Sequence, residues 1–259
     1  KHPIEPTELG SKIIAQARVI LSETKKLKES IVDEKKEIQG ELIMAVIPTV
    51  APYLLPLFIN SFCAKYPKVS LKIHELTTEQ IIEKLKRQEI DIGILATPLE
   101  QPELIEVPLY YERFLVYAPN SSFKNKKYLL PKDIDVSKLW LLEEGHCLRS
   151  QIINLCELRK KEIGFNNLQY EAGSIETLIR MAEANFGVTI IPELALDTLM
   201  KSQTKFIYHF KSPEPVREIS LVTYKHYYKG NVLNALKNEV LKHIPLHMKE
   251  AKKIEVIEI

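Results

Sequence analysis

This sequence of 259 residues contains few cysteines and few glycines, and neither positive nor negative charge is in clear excess. Three cysteines are too few for the disulfide-dense scaffold of a small secreted protein. Eight glycines and 15 prolines exclude a collagen-like or low-complexity chain. The 36 basic residues nearly balance the 34 acidic ones, and this net charge of +2 argues against a stand-alone nucleic-acid-binding domain. The composition is that of a globular protein with one large or two modest domains.

The sequence shows neither an export signal nor a membrane span. It opens Lys1-His2-Pro3 without a charged and then apolar leader, and without an initiator methionine. We therefore expect a piece of a longer protein that works in the reducing cytoplasm. The run from Leu42 to Ile59 is almost wholly apolar, but its three prolines would break a helix buried in lipid. This run is predicted to form a buried strand, a tight turn and a helix.

Residues 8–34 have the pattern of one long polar helix with a narrow apolar seam. The seam positions recur at alternating steps of four and three, at Ile13, Ala17, Ile20, Thr24, Leu27 and Ile31. That spacing is typical of a coiled coil and favours a dimerisation or linker helix. The alternative is an amphipathic helix packed on its own domain.

From residue 41 onward, strand patterns alternate with helix patterns, which indicates an α/β fold with a mostly parallel sheet. A break near Tyr111–Arg113 and a return near Pro213–Pro215 divide the chain into two units. A ligand in such a fold lies in the crevice beyond the carboxyl ends of strands. Thr49 and Thr78 occupy that rim, although the first position of a helix is an equally simple role for Thr78.

Local signals give further predictions. Thr77 with Gln80 three residues on predicts a helix that begins with a capping box. Helices are also predicted near residues 148–161 and 192–199. The charged tail from His247 is expected to be frayed.

The stretch 141–156 is the most informative part of the sequence. A helix is predicted to begin near Cys147, and helix N-termini favour negative charge. His146 and Arg149 lie beside it, so we expect a lowered pKa and a reactive thiolate at Cys147. A thiolate attacks peroxide to give a sulfenic acid, which condenses with a second thiol.

Cys156 is the nearest second thiol in the sequence and lies on the apolar face of the same predicted helix. Nine helical steps separate the two Cα atoms by about 13 Å, whereas a disulfide tolerates roughly 4.4 to 6.8 Å. Oxidation to a disulfide must therefore unwind the helix. Two unrelated thiols remain the alternative, and zinc is disfavoured because only His146 accompanies the two cysteines locally. Cys63 is predicted to be a small core residue.

The segment Gly145-His146-Cys147-Leu148-Arg149, with a second cysteine at 156, resembles the motif of LysR-type transcription regulators that sense hydrogen peroxide. The resemblance covers residues 6–245. It includes the following segments: 47–50, 52–56, 74–75 with Thr78, 105–109, Ser174 with 176–178, 187–192, and 213–215 with Arg217. Residues 6–10 resemble the end of the family's winged helix-turn-helix.

This resemblance implies an α/β fold of two Rossmann-like subdomains, of the type 2 periplasmic-binding-protein or LysR effector-binding kind, preceded by a linker helix. Residues 1–38 would hold the end of the winged helix-turn-helix and the linker or dimerisation helix. Residues 39–111 with 217–259 would form subdomain I, and residues 112–216 would form subdomain II with the redox cysteines.

The resemblance also implies residue roles, with Cys147 as the peroxidatic cysteine and Cys156 as the resolving one. The side chains that would shape the peroxide pocket, or support charge near the sulfur, are Thr49, Thr78, His146 and Arg149. Two positions depart from the family pattern, which has Asp where this chain has Glu144 and Ser150. The second change removes a carboxylate beside the reactive site.

The partners implied by the resemblance are hydrogen peroxide, RNA polymerase, a reductant of the glutaredoxin or thioredoxin type, and DNA through a winged helix-turn-helix that is mostly absent from this chain. A homodimer or homotetramer is implied, with no cofactor, no metal and no membrane. The expected function is a redox-sensing regulator of antioxidant genes, not an enzyme.

Three other functions use the same features. A LysR-type sensor of a small organic effector would bind it at Thr49 in the crevice and would need neither cysteine. A thiol peroxidase would use Cys147 but has no use for a linker helix. A periplasmic solute-binding protein shares the fold, and the linker helix argues against it as well.

Overall fold

The computed structural model describes residues 38–119, 123, 126–156, 170, 172–184, 187–225, 230–250 and 254–257, with parts of the N-terminal region at 6–10, 12–14, 16–17, 20–21 and 24. From residue 38 onward the helices and strands, in chain order, are β1 (Gly40–Val46), α1 (Ala51–Lys65), β2 (Val69–Glu75), α2 (Thr78–Lys86), β3 (Ile92–Thr97), β4 (Leu104–Tyr117), β5 (Leu139–Trp140), α3 (Cys147–Leu155), α4 (Ile175–Ala184), β6 (Val188–Pro192), β7 (Ile207–His209), β8 (Glu214–Tyr224), α5 (Gly230–His243) and β9 (Ile254–Val256).

The N-terminal region is helical where it is described, from residue 8 to residue 24 with gaps. Ile13 and Ile20 of the predicted seam are 60% and 59% exposed, so these residues do not pack on the domain. This exposure contradicts the alternative of a helix packed on its own domain. Leu27 and Ile31 lie outside the described residues.

The first lobe is built on β1, β2 and β3. Strand β1 lies in the middle and pairs in parallel with both neighbours. The apolar run from Leu42 to Ile59 forms strand β1, a turn and helix α1, as predicted. Within the described part of the chain, no helix is long and apolar enough to cross a membrane.

Helix α2 shows how local sequence positions one wall of the crevice. Thr77 and Gln80 form the predicted capping box, which fixes Thr78 as the first helical residue. Ile81 and Leu85 are fully buried against β3. Gly93 permits this close packing, because a Cβ there would lie 2.6 Å from the Ile81 side chain. The end of α2 that carries Thr78 is thereby held beside the carboxyl end of β3.

Two long strands, β4 and β8, join the lobes. They pair antiparallel from Leu104↔Tyr224 to Arg113↔Val216, with a register shift between Pro108 and Tyr110. Strand β8 also pairs with β3 in the first lobe, whereas the last residues of β4 pair with β6 and β7 in the second. The predicted boundaries between the two subdomains, after residue 111 and after residue 216, fall inside these two strands.

The second lobe contains β5, β6, β7, α3 and α4. Strands β5 and β6 are parallel, and β5 leads through a short turn into α3, which carries both cysteines of the motif. The strands are ordered β2-β1-β3-β8-β4-β6-β5, with β7 on β4 and β9 on β8.

The structure corrects four predictions. The sheet is mixed, not mostly parallel, because β8 and β4 run antiparallel to their neighbours in both lobes. Strand β4 does not begin anew after residue 113 but continues through it. Residues 193–198 form a 3₁₀ segment, not an α-helix. The tail beyond His247 is ordered at residues 254–256, because β9 pairs there with residues 214–216 of β8.

The helix predicted over 148–161 spans Cys147–Leu155. Its predicted last residues, 157–161, lie outside the described residues.

Candidate functional site

Cys147 lies at the first position of α3, with its side chain facing the crevice between the lobes. The residue is 4% exposed. Its sulfur lies close to Thr78 and the backbone of Ala96 from the first lobe, and to the backbone of Leu148 from its own helix. The Thr78 hydroxyl is buried and has no hydrogen-bond partner among the described residues.

Burial dominates the acidity of this thiol and raises the pKa of Cys147 above its ordinary value. The positive charge of Arg217 opposes it most strongly, followed by the Thr78 side chain and the two backbone groups. The lowered pKa expected from the sequence is therefore wrong in its net direction. The helix N-terminus and its neighbours are visible in the sequence, but the depth at which the sulfur is buried is not.

Arg217 is the buried cation of the site, and it lies 0% exposed on β8. Its Nη1 and Nη2 donate to Oγ1 and the carbonyl of Thr49, at 2.9 and 3.0 Å. Its Nε donates to Glu112 Oε1 at 2.8 Å, and Nη2 lies 2.7 Å from the same oxygen. Glu112 in turn accepts from the backbone N–H of Leu194 at 3.3 Å. This network ties the end of β1 to the start of the 3₁₀ segment after β6.

Burial raises the pKa of Glu112, while the adjacent Arg217 guanidinium opposes that rise. Sequence reasoning missed Glu112 and included Arg217 only as one residue of a resemblance. The local sequence does not single out this pair, because both strands carry further charged residues such as Arg113 and Glu218. Glu112 and Arg217 prove to be register partners.

The other residues predicted for the site each make a different set of contacts. Thr49 is 3% exposed, and Thr78, the first residue of its helix, is 8% exposed. His146 caps α3, is 6% exposed, and places Nε2 3.6 Å from Glu143 Oε1. Arg149 donates from Nη1 to the carbonyl of Leu142 at 2.7 Å, so it braces the turn before α3.

Cys156 caps the other end of α3. Its backbone N–H donates to the carbonyl of Ile152 at 3.0 Å, so the helix is intact between the two cysteines, and both thiols are free. Burial raises the pKa of Cys156 to about 12. Cys63, predicted to be a core residue, is exposed, because α1 turns that position toward solvent.

One side-chain contact spans the crevice away from the sulfur. Tyr53 on α1 donates from Oη to Glu176 Oε1 on α4 at 2.7 Å. Burial and this carboxylate both raise the pKa of Tyr53, so its hydroxyl remains a donor. The contact joins a helix of the first lobe to a helix of the second.

Two α/β lobes, a double-strand crossover and a thiol in the crevice define the regulatory domain of a ligand- or signal-responsive protein. The family model described as the LysR substrate-binding domain matches residues 35–245. The chain belongs to this LysR family.

Within the family, the chain is similar to proteins named for hydrogen peroxide. The hydrogen peroxide-inducible genes activator of Haemophilus influenzae is 35% identical over 218 residues, which cover 83% of this chain and 71% of that protein. The DNA-binding transcriptional dual regulator OxyR of Escherichia coli K12 is also 35% identical over 218 residues, covering 83% of this chain and 70% of that one. The crystal structure of reduced OxyR from Porphyromonas gingivalis matches with a TM-score of 0.73 at 30% identity, covering 82% of this chain and 98% of that chain.

Proposed function

We propose that this chain is the regulatory part of a transcription regulator that detects hydrogen peroxide through Cys147. The observation that carries the proposal is the placement of the two thiols. One is buried in the crevice beside Arg217 and Thr78, and the other lies at the far end of the same nine-residue helix. The names of the similar proteins, which include hydrogen peroxide-inducible activators, support it.

The chemistry begins with the thiolate of Cys147, which Arg217 and the Thr78 hydroxyl stabilise against the effect of burial. Peroxide would bind among Thr49, Thr78 and His146, with Arg149 holding the turn that positions Cys147. The sulfur attacks one peroxide oxygen, the O–O bond breaks, and hydroxide leaves as the sulfur becomes a sulfenic acid.

The thiol of Cys156 then attacks the sulfenic sulfur, and water leaves as the disulfide forms. Because about 13 Å of intact helix separates the two Cα atoms, this step requires α3 to unwind. The refolded segment would reposition DNA-binding domains in a homodimer or homotetramer and so alter contact with RNA polymerase. A glutaredoxin- or thioredoxin-type dithiol in the cytoplasm would restore both thiols. The response is stoichiometric, as befits a regulator and not an enzyme.

The first prediction concerns Cys147→Ser in the full-length protein. We expect loss of peroxide-induced promoter activity, because the nucleophile is gone. Cys63→Ser, which changes the exposed third thiol, is the matched control and should respond like the wild type. The measurement is promoter output before and after a peroxide pulse. A peroxide response that survives in Cys147→Ser would contradict the proposal, whereas effector binding that survives loss of both Cys147 and Cys156 would favour a sensor of a small organic effector.

A further inference from the structure

The C-terminal strand β9 packs beside the redox helix α3. Strand β9 pairs in parallel with residues 214–216 at the start of β8, and the N–H of Ile257 donates to the carbonyl of Val216 at 2.9 Å. This backbone pairing anchors the tail one residue before Arg217. The family match ends at residue 245, so the tail strand lies beyond it.

A buried side chain links α3 to Ile257, the residue that follows this strand. Gln151, in the middle of the helix, is 0% exposed, and its Nε2 donates to the carbonyl of Ile257 at 2.9 Å. Its Oε1 is buried without a hydrogen-bond partner among the described residues. Burying an amide is unfavourable when only one of its two polar atoms has a hydrogen-bond partner. The bond from Nε2 to the carbonyl of Ile257 is therefore the hydrogen bond that offsets the burial of this side chain.

The tail and Cys156 also line a common groove. Cys156 and Leu155 line one side of a groove whose other side is formed by Glu255, Val256 and Ile257. Both the middle and the C-terminal end of α3 therefore adjoin the same short strand.

The disulfide and the Gln151–Ile257 hydrogen bond require different backbone conformations of α3. The bond needs Gln151 in the helical position, whereas the disulfide needs α3 unwound, since roughly 13 Å of helix must shrink to about 6 Å. An interaction made by only one of two states shifts the equilibrium toward that state. The tail contact therefore favours the reduced protein and makes the disulfide easier to reduce.

We propose that Gln151 is a positioning residue of the redox reaction: by holding the C-terminal strand it maintains α3 in the reduced state and sets the Cys147–Cys156 thiol–disulfide equilibrium. This inference rests on the proposed function, because it concerns the same disulfide. Reduction of that disulfide by a dithiol such as dithiothreitol transfers two electrons and two protons, and the dithiol becomes a cyclic disulfide.

The test is a double-mutant cycle between Gln151→Leu and deletion of residues 254–259 from the 259-residue chain. Each protein is equilibrated in dithiothreitol redox buffers, and the fraction with Cys147 linked to Cys156 is measured by mass mapping. Deletion should favour the disulfide about three- to tenfold, the range that one net hydrogen bond produces. A tenfold change corresponds to a potential about 30 mV more negative.

The decisive comparison is the effect of the deletion in different backgrounds. In the Gln151→Leu background the deletion should shift the equilibrium about threefold less than in the wild type, because the shared bond is already absent. The control background is Gln203→Leu, which removes another buried amide whose Nε2 donates to Glu183 at 2.8 Å. There the deletion should keep its full effect. Equal shifts in all three backgrounds would overturn the proposal.

Hydrogen exchange in the undeleted chain provides a second readout if a variant fails to fold. The Ile257 amide should be protected in the reduced protein and should exchange faster after oxidation. Equal protection in both states would overturn the inference while leaving the peroxide sensor intact. A wild-type protein that never forms the Cys147–Cys156 disulfide would overturn both this inference and the proposed function.

Discussion

At the scale of single residues, the site is governed by two opposed influences on one sulfur. Burial disfavours the thiolate of Cys147, and Arg217 favours it. Arg217 itself is buried and is paired with Glu112, so its charge is fixed in place and is not screened by water. The acidity of this thiol therefore depends on a cation 70 positions away in the sequence.

Replacing Arg217 with Met should raise the pKa of Cys147 further, because the charge that stabilises the thiolate is lost. In a Cys63→Ser, Cys156→Ser background, we expect several-fold slower alkylation of Cys147 at pH 7 and a rate profile displaced to higher pH. The rate profile moves to higher pH because alkylation requires the thiolate, and a thiol whose pKa rises is deprotonated only at higher pH.

Arg149→Met is the matched control, because Arg149 lies two positions from Cys147 in the sequence but bonds the carbonyl of Leu142. Its pH profile should stay close to that of the parent. A profile that moves with Arg149 and not with Arg217 would contradict the electrostatic assignment.

The sequence revealed those site residues that lie close to Cys147 along the chain, and those at the ends of regular elements. His146, Arg149 and Cys156 belong to one segment, and Thr78 follows from a capping pattern. The Glu112–Arg217 pair was missed because it depends on the register of two distant strands. Cys63 was misjudged because α1 is apolar almost throughout, so its sequence does not identify the face that meets solvent.

At the scale of elements, helix α2 has adjacent threonines with separate tasks. Thr77 accepts a hydrogen bond from the Gln80 backbone and caps the helix, while Thr78 faces the sulfur of Cys147. The first task concerns stability, and the second concerns chemistry.

Thr77→Ala should lower the free energy of unfolding by about 1 kcal/mol, the usual effect of losing a helix cap. Thr78→Val keeps the cap and should change stability less, but it should slow peroxide oxidation of Cys147 because a thiolate donor is lost. Urea unfolding and the rate of sulfenic acid formation measure the two effects. Identical behaviour of the two variants in both measurements would refute this division of tasks.

The regular elements of the fold were predictable because their signals are local. Strand β1, helix α1 and helix α2 follow from hydrophobic periodicity, proline and capping. The crossover of β4 and β8 and the docking of β9 were not predictable, since they depend on pairing between segments far apart in the chain. The tail looked frayed because its residues are charged, yet its backbone is held by β8.

At the scale of the whole molecule, two strands connect the lobes, and the Tyr53–Glu176 bond is one of several side-chain contacts between them. Strands β4 and β8 connect the lobes covalently, and Tyr53 bonds Glu176 across the crevice. The two strands form the connection about which the lobes could move, and the Tyr53–Glu176 hydrogen bond holds the crevice closed away from that connection.

Tyr53→Phe should open the crevice and speed alkylation of Cys147 by a neutral reagent. Loss of the hydrogen bond should also lower the free energy of unfolding by about 1 kcal/mol. Tyr117→Phe is the matched control, because Tyr117 bonds Glu183 at the same 2.7 Å distance within the second lobe. It should lose similar stability without exposing Cys147. Equal alkylation rates in the two variants would show that the Tyr53–Glu176 hydrogen bond does not keep the crevice closed.

The position of the Cys147 sulfur has a mechanical consequence. It belongs to the second lobe, yet it lies beside Thr78 and the backbone of Ala96 in the first. Under the proposed function, bonding to Cys156 would withdraw the sulfur from the first lobe, so that one covalent event would act on both lobes.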